Sequence, residues 1–266
     1  MLFNKLSFLN YFTNVYNAKT FRQIEYKKVK YLIKLFRPVD VGIDLIRIGS
    51  KNDGGYLIPN LLDNVKYCFS AGAGLISDFE KDLEKFNIKS FIADGTVSKV
   101  SKMLKNYNFE RKNIHSYNYK NKININTWIS SKIKKDELKK SIFQIDIEGH
   151  EFESIHSIND ELLSKIKILV IEFHGLELMG NEFYNNIIKS SLEKLNLYFT
   201  SVHIHPNNSS GIHSIGKLKV PSALEVTFLN NKFCNKKNKI KKLPHNLDSK
   251  NVIKKNDVYL EEYWYK

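Results

Sequence analysis

Carboxylates and imidazoles gather in three short motifs, QIDIEGHEFE, VIEFHG and VHIHPNN, each following an apolar run typical of a buried strand. In chain order these side chains are Asp146, Glu148, His150, Glu151, Glu172, His174, His203 and His205. Because parallel strands end at one edge of a sheet, we expect them to converge in one cleft. Individual residues of this cluster could instead have a structural role: Glu148 and Glu151 could cap a helix, and His203 could be a core histidine.

Two kinds of chemistry fit such a cluster. In the first, a divalent cation such as Mg²⁺ or Mn²⁺ is held by Asp146, Glu172 and His174 and lowers the pKa of a bound hydroxyl. In the second, no metal takes part. His174 or His205 then removes the hydroxyl proton, and Asp146 contacts the reacting centre.

A glycine turn and a following aspartate indicate a nucleoside site. In SAGAG, Gly72 and Gly74 let the backbone turn tightly and approach a ligand. Asp94 follows the next apolar run, roughly 20 residues further along, where a carboxylate can bind both ribose hydroxyls. The dinucleotide pattern needs a third glycine where this chain has Ser77. The spacing therefore favours S-adenosylmethionine over NAD.

From Val65 onwards, short apolar runs alternate with amphipathic segments, which predicts an α/β fold with a mostly parallel sheet and helices on both faces. The predicted strands are KYCFSA, KSFIA, IFQID, ILVIEF and YFTSVHI, with ALEVTF as an edge or antiparallel strand. Helices are predicted from SDFEKDLEKFN, SKVSKMLKNY and NEFYNNIIKSSLEKLN, and a hairpin from DLIRIGSKNDGGYLIP. A helix over 20–37, ended by Pro38, completes the prediction. We divide the chain into an N-terminal helical extension, 1–40, and one α/β domain, 41–266, whose aromatic C-terminal tail docks on the core.

Composition excludes several classes of protein. The 266 residues carry a net charge of +14, but the lysines are scattered and no Arg-rich or base-stacking motif accompanies them. We therefore expect no nucleic-acid partner. No apolar run approaches the ~20 residues of a membrane span and no signal peptide is recognised, so we expect a cytoplasmic protein. Cys68 and Cys234 indicate neither a disulfide nor a zinc site. A homo-oligomer remains open.

A series of motifs resembles, in order, the FkbM-type S-adenosylmethionine-dependent methyltransferases. They are RIGSKNDGGYLIP, FSAGAGLISDFEKDL, ADGT, QIDIEGHEFE, VIEFHG, VHIHPNN, VPSALEVTF and LPHNLDSKN, over about residues 45 to 252. The resemblance implies a class I methyltransferase (Rossmann-like) sheet of seven strands. It also implies O-methylation, commonly of a sugar hydroxyl in antibiotic or surface-polysaccharide synthesis.

The resemblance also assigns residues to the site. The donor-binding residues it implies are Asp53, Gly54, Gly55, Tyr56, Ser70, Gly72, Gly74, Glu80 and Asp94. Asp146 stands where donor and acceptor meet, and the turn at Asp53 folds over the cofactor. Ser70 occupies a position where many class I enzymes have an acid. The amino group of the donor must therefore find another partner, which could be Asp78, Glu80 or Asp53.

We expect an S-adenosylmethionine-dependent O-methyltransferase acting on a sugar hydroxyl of a capsular or other surface polysaccharide, or of another glycan precursor. Its acceptor is then a sugar, a sugar nucleotide or a glycan. The alternative is an RNA methyltransferase or RNA-binding protein that uses the basic surface, and a third is a noncatalytic interaction protein. Residues 1–40 could be a lid, an oligomer contact or a docking element.

Overall fold

The structure is a computed structural model that describes residues 24–266. Its helices are α1 Tyr26–Phe36, α2 Asp78–Glu84, α3 Ile125–Lys132, α4 Glu151–Ser157, α5 Asp160–Leu163 and α6 Glu182–Tyr198. Its strands are β1 Val39–Asp40, β2 Leu45–Ile48, β3 Tyr56–Pro59, β4 Tyr67–Ala71, β5 Lys89–Ala93, β6 Tyr107–Glu110, β7 Asn113–His115, β8 Lys122–Asn124, β9 Ser141–Ile145, β10 Ile168–Phe173, β11 Phe199–Pro206, β12 Ile212–Ile215, β13 Leu218–Pro221, β14 Leu224–Asn230 and β15 Asn238–Lys239. Short 3₁₀ helices cover Lys135–Lys140, Leu176–Gly180, Asn231–Phe233 and Glu262–Trp264. Within the described residues no helix is both long enough and apolar enough to cross a membrane.

Seven strands form the central sheet in the order β11-β14-β10-β9-β4-β5-β6. Neighbours from β10 to β6 are parallel, and β14 lies antiparallel between β10 and β11. This confirms the predicted α/β fold with a mostly parallel, seven-stranded sheet. The ALEVTF segment, predicted as an edge or antiparallel strand, is antiparallel and lies inside the sheet rather than at its edge. All seven residues of β14 are buried, which suits an interior strand, and β11 takes the edge.

Each face of the sheet carries its own core, because successive side chains of a strand point to opposite faces. On one face, Leu169 and Phe173 of β10 share a core with Phe36 of α1. On the other face, Ile168 and Val170 share a core with residues of the β2–β3 hairpin and of α2. Both faces of the sheet are thus covered, which explains the unbroken apolar run ILVI, residues 168–171.

The two ends of the described chain pack onto the same core. Helix α1 begins at Tyr26, later than the helix predicted over 20–37, and residues 1–23 lie outside the described residues. Its buried side chains are those of Val29, Leu32, Ile33 and Phe36. Trp264 is fully buried, its ring centroid lies 6.2 Å from that of Phe36, and its Nε1 donates to the carbonyl of Lys219 at 3.0 Å. The aromatic tail therefore docks as predicted, and the division at residue 40 stays a prediction.

The segment SKVSKMLKNY, predicted as a helix, consists of turns that lead into β6, a strand the sequence analysis did not identify. Val100 and Leu104 are buried against Ile92 at a spacing that imitates a helix. However, the Ser101 hydroxyl accepts a hydrogen bond from the backbone N–H of Met103 at 3.4 Å. Local hydrogen bonds of this kind compete with the hydrogen bonds of a helix. Burial of only two apolar side chains does not stabilise a helix enough to outweigh this competition.

Candidate active site

A cavity of about 510 Å³ opens beside the carboxyl ends of β4, β5 and β9. Its volume lies in the range of roughly 300–1,000 Å³ common for small-molecule sites. The predicted donor-binding residues that line it are Asp53, Gly54, Tyr56, Gly72, Gly74, Glu80 and Asp94. Gly55 and Ser70 are buried next to this lining rather than part of it. The structure thus brings most of the predicted donor residues together around one space.

Gly72 is the position where two loops of the site cross. It has a φ of +81°, and a Cβ built there would lie 1.6 Å from the carbonyl oxygen of Asp146. Only glycine allows this approach. In addition, the backbone N–H of Asp146 donates to the carbonyl of Ala71 at 2.9 Å. The glycine turn after β4 and the loop after β9 are therefore locked side by side.

Asp94 is fixed at the cavity wall by its own loop. Its Oδ2 accepts a hydrogen bond from Gly74 N–H at 2.9 Å, and its Oδ1 accepts bonds from the backbone N–H and the hydroxyl of Thr96 at 2.7 and 2.5 Å. Carboxylate oxygens can accept more than one bond each. The side chain is therefore oriented in advance and can still accept bonds from ligand hydroxyls.

Glu80 is a buried acid at the cavity wall. It is 2% exposed, its carboxylate is hydrogen-bonded to the Ser70 hydroxyl, and no cation pairs with it among residues 24–266. That hydroxyl also lies 2.8 Å from Oε1 of Gln144. Burial raises the pKa of Glu80, and the Ser70 hydrogen bond partly offsets that rise. A cationic ligand group in the cavity would relieve this cost.

His174 lies among four carboxylates at the end of β10. Its Nδ1 lies 3.1 Å from Oε1 of Glu151, a fully buried acid that also accepts bonds from the backbone N–H groups of Ile147 and Gly149. Burial alone would lower the pKa of His174. The Glu151 hydrogen bond and the surrounding carboxylates outweigh burial and raise that pKa to about 9. The imidazole is therefore protonated at neutral pH, which removes it as the base and makes it a local positive charge.

Asp146 is the carboxylate whose position and pKa suit it to accept a proton. It lines the cavity, its Oδ1 lies 3.9 Å from Nε2 of His174, and its Oδ2 lies 3.4 Å from the Tyr56 hydroxyl. Burial raises its pKa to about 7; neighbouring acids add to that rise, and His174 opposes it. A carboxyl group with this pKa can accept a proton at neutral pH.

Three more acids meet next to this pair. Asp53, Glu172 and Glu225, which we call the acid row, place carboxylate oxygens within 4.8 Å of one another. Glu172 and Glu225 are cross-strand partners on β10 and β14, and burial raises the pKa of both. Asn207 donates to Glu172 at 2.7 Å, and Asn251 donates to Glu225 at 2.6 Å. The sequence analysis assigned a role to neither Glu225 nor Asn251.

The structure does not support His205 as the catalytic base. It lies on β11, separated from β9 by three strand spacings, or about 14 Å. Its side chain is buried, with Nδ1 3.7 Å from Oδ2 of Asp248, an acid that also pairs with His203 at 2.8 Å. The sequence could not show this, because the Asp248 partner comes from the C-terminal segment.

The predicted cation ligands Asp146, Glu172 and His174 meet at Nε2 of His174, which lies 3.9 Å and 3.6 Å from the two carboxylates. Carboxylate oxygens and an imidazole are suitable ligand types for Mg²⁺ or Mn²⁺. A cation there would have to displace the proton that His174 carries at neutral pH. The divalent cation stays a prediction.

Neither a protein-family model nor a curated protein matches this sequence, so the FkbM resemblance also stays a prediction. Three solved structures are similar in fold. The fibrillarin/Nop5p complex shares 12% identity over 63% of this chain and 73% of that chain, with a TM-score of 0.40. SMU.1697c, a candidate methyltransferase from Streptococcus mutans in complex with SAH, shares 11% over 76% and 94%, with a TM-score of 0.34. An rRNA methylase from Streptococcus thermophilus shares 12% over 80% and 99%, with a TM-score of 0.36. At these TM-scores the function must be argued from the site itself.

The crossing at Gly72 predicts unequal effects of two alanine substitutions. Gly72→Ala should lower the free energy of unfolding by about 3 kcal/mol or more, because its Cβ would overlap a backbone oxygen. Gly74→Ala is the matched control. It also has a positive φ, but its Cβ would meet no atom within 4 Å, so the loss should be about 1 kcal/mol. Urea unfolding measures both, and equal losses would refute the proposed crossing.

The charge state of His174 can be observed directly. In an NMR titration its imidazole should lose its proton near pH 9 rather than near the usual 6.5. His174→Gln identifies the resonance. Glu148→Gln should lower the midpoint, because this exposed carboxylate lies 3.6 Å from Nε2. A midpoint near 6.5 in the unmodified protein would contradict the protonated imidazole.

Proposed function

We propose that the chain is an S-adenosylmethionine-dependent O-methyltransferase that acts on a hydroxyl of a sugar, sugar nucleotide or glycan. One observation carries the proposal. The glycine turn and Asp94, which suit a nucleoside, share a cavity with Asp146, which suits a base, and the crossing at Gly72 fixes the two sides together.

The cavity residues fit the donor group by group. Asp94 is oriented to accept bonds from ribose hydroxyls, and Gly74 adds no side chain that would fill the space. Glu80 and Asp53 line the same cavity and offer negative charge to the donor's amino group. When bound, S-adenosylmethionine supplies an electrophilic methyl group. The residues of this chain then have to align the acceptor and take one proton.

Asp146 takes that proton in the proposed reaction. Its carboxylate accepts the proton of the acceptor hydroxyl as the oxygen becomes methylated. His174 is held by Glu151 in its charged form and keeps part of the Asp146 population ionised at neutral pH. Tyr56 lies 3.4 Å from Asp146 Oδ2 and restricts the orientation of that side chain.

The charge of the cavity favours a hydroxyl-rich acceptor over RNA. Its lining contains the carboxyl groups of Asp53, Glu80, Asp94, Asp146 and Glu148, and Lys122 is its one lysine or arginine among the described residues. Carboxylates accept hydrogen bonds from sugar hydroxyls, whereas they repel a phosphate backbone. A role in capsular or other surface-polysaccharide synthesis remains the predicted setting.

Donor binding can be tested by calorimetry with S-adenosylhomocysteine. The unmodified protein should bind it, and Asp94→Ala should weaken binding at least tenfold, because the ribose hydroxyls lose their acceptor. Asp78→Asn is the control, since Asp78 begins α2 but does not line the cavity. Absence of binding by the unmodified protein would refute the proposal.

Asp146→Asn should reduce kcat by about 10³-fold or more while leaving the affinity for S-adenosylhomocysteine nearly unchanged. The unmodified enzyme should gain activity as the pH rises through about 7, because Asp146 then ionises and can accept the proton. The assay measures labelled methyl transfer to sugar nucleotides, glycan fragments and total RNA.

Glu161→Gln is the control for that assay, because Glu161 is an exposed carboxylate on α5 that pairs with Lys135 and does not line the cavity. Its kcat should stay within a few-fold of the unmodified enzyme. An active Asp146→Asn variant would exclude Asp146 as the base, and transfer to RNA alone would favour the alternative function. Full activity in excess chelator would exclude the divalent cation.

A further inference from the structure

A C-terminal segment, residues 245–256, crosses the sheet edge beside the acid row; we call it the C-terminal strap. It is anchored on both sides of its centre. Asp248 accepts a hydrogen bond from His203 at 2.8 Å. The Asn208 side chain accepts a bond from the backbone N–H of Val252 at 2.8 Å and donates to the carbonyls of Val252 and Asn256 at 3.0 and 3.2 Å. The strap is thus held in place without help from the side chain between these anchors.

That side chain is Asn251, and it joins two acids of different elements. Its Nδ2 lies 2.6 Å from Oε1 of Glu225 on β14 and 3.2 Å from Oδ1 of Asp53 in the hairpin turn. The carbonyl of Asn251 also accepts the backbone N–H of Asp53 at 3.3 Å. Each of its two amide hydrogens can therefore bond a different carboxylate.

The oxygen of the same amide has no partner. Asn251 is 5% exposed, and its Oδ1 is buried without a hydrogen bond among the described residues. An unpaired buried acceptor costs stability. Rotating the amide would place this oxygen, instead of the donor nitrogen, next to the two carboxylates. That arrangement would be less favourable than an unpaired oxygen. The two acids therefore dictate the orientation of Asn251, at the cost of the unpaired oxygen.

We propose that Asn251 is a positioning residue of the donor site, holding Asp53 at the rim of the cavity against repulsion from Glu225 and Glu172. The inference rests on the proposed function. Asp53 is exposed on a hairpin turn, and without the amide its carboxylate would move towards solvent, away from the other two. A neutral amide orients Asp53 without cancelling its charge, which stays available for the amino group of the donor.

The test compares affinities for S-adenosylhomocysteine by calorimetry. Asn251→Ala should weaken binding about tenfold, the loss expected for one charge-assisted contact. In an Asp53→Ala background, Asn251→Ala should not weaken binding further, because the carboxylate that Asn251 positions is already absent. Asn251→Ser, which keeps one donor, should bind with intermediate affinity and serves if the alanine variant does not fold.

Asn208→Ala is the matched control. It removes three bonds to the same strap but none to Asp53, so it should lower the melting temperature and leave the affinity within about twofold. An equal loss of affinity in this variant would assign the effect to the strap as a whole and overturn the inference. So would wild-type affinity in Asn251→Ala, or multiplicative effects of Asn251→Ala and Asp53→Ala. If the unmodified protein does not bind, the proposed function fails instead.

Discussion

Repulsion between carboxylates is the constraint on which the rest of the site depends. Asp146 and the acid row lie at the carboxyl ends of neighbouring strands, where burial penalises every negative charge. The structure counters the penalty with one imidazolium, His174, and with amide donors from Asn207 and Asn251. Each of these groups comes from a different element. The hairpin, the sheet and the C-terminal strap must therefore be assembled together before the acids can be held in one place.

This arrangement divides the cavity into two functional sides. The glycine turn, Asp94 and Glu80 belong to α/β elements that are close in the sequence, and their hydrogen bonds are local. Asp146 and His174 directly follow β9 and β10, and the fully buried Glu151 of α4 helps to raise the pKa of both. The crossing at Gly72 joins the two sides. Under the proposed function, changes at Asp146 or His174 should therefore leave donor binding nearly unaffected, whereas methyl transfer depends on both sides.

That the proposed donor-binding residues share one cavity could be predicted from the sequence, because the evidence for it is local. Strand, glycine turn and Asp94 follow one another in the chain, and the end of a parallel strand fixes where they point. The proton-transfer side could be predicted only in part. Asp146 and His174 share an edge of neighbouring strands, but the raised pKa of His174 depends on burial and on Glu151. The surroundings of His205 could not be predicted, because its neighbours, Glu225 and Asp248, come from a strand and a strap later in the chain. Asn251 ends the motif LPHNLDSKN, but the sequence could not show which acids its side chain contacts, because Asp53 and Glu225 come from other elements.

The position of β14 has a consequence for how the chain assembles. Strands β10 and β11 are separated in the chain by a short 3₁₀ helix and α6, yet they do not pair. Strand β14, which follows both in the chain, lies between them. Until β14 is inserted, β10, whose first four residues are apolar, presents an unpaired row of backbone groups. Such an open edge invites pairing with other chains. A product shortened before residue 224 would therefore be prone to aggregate, and chaperone binding during synthesis would be directed to this edge.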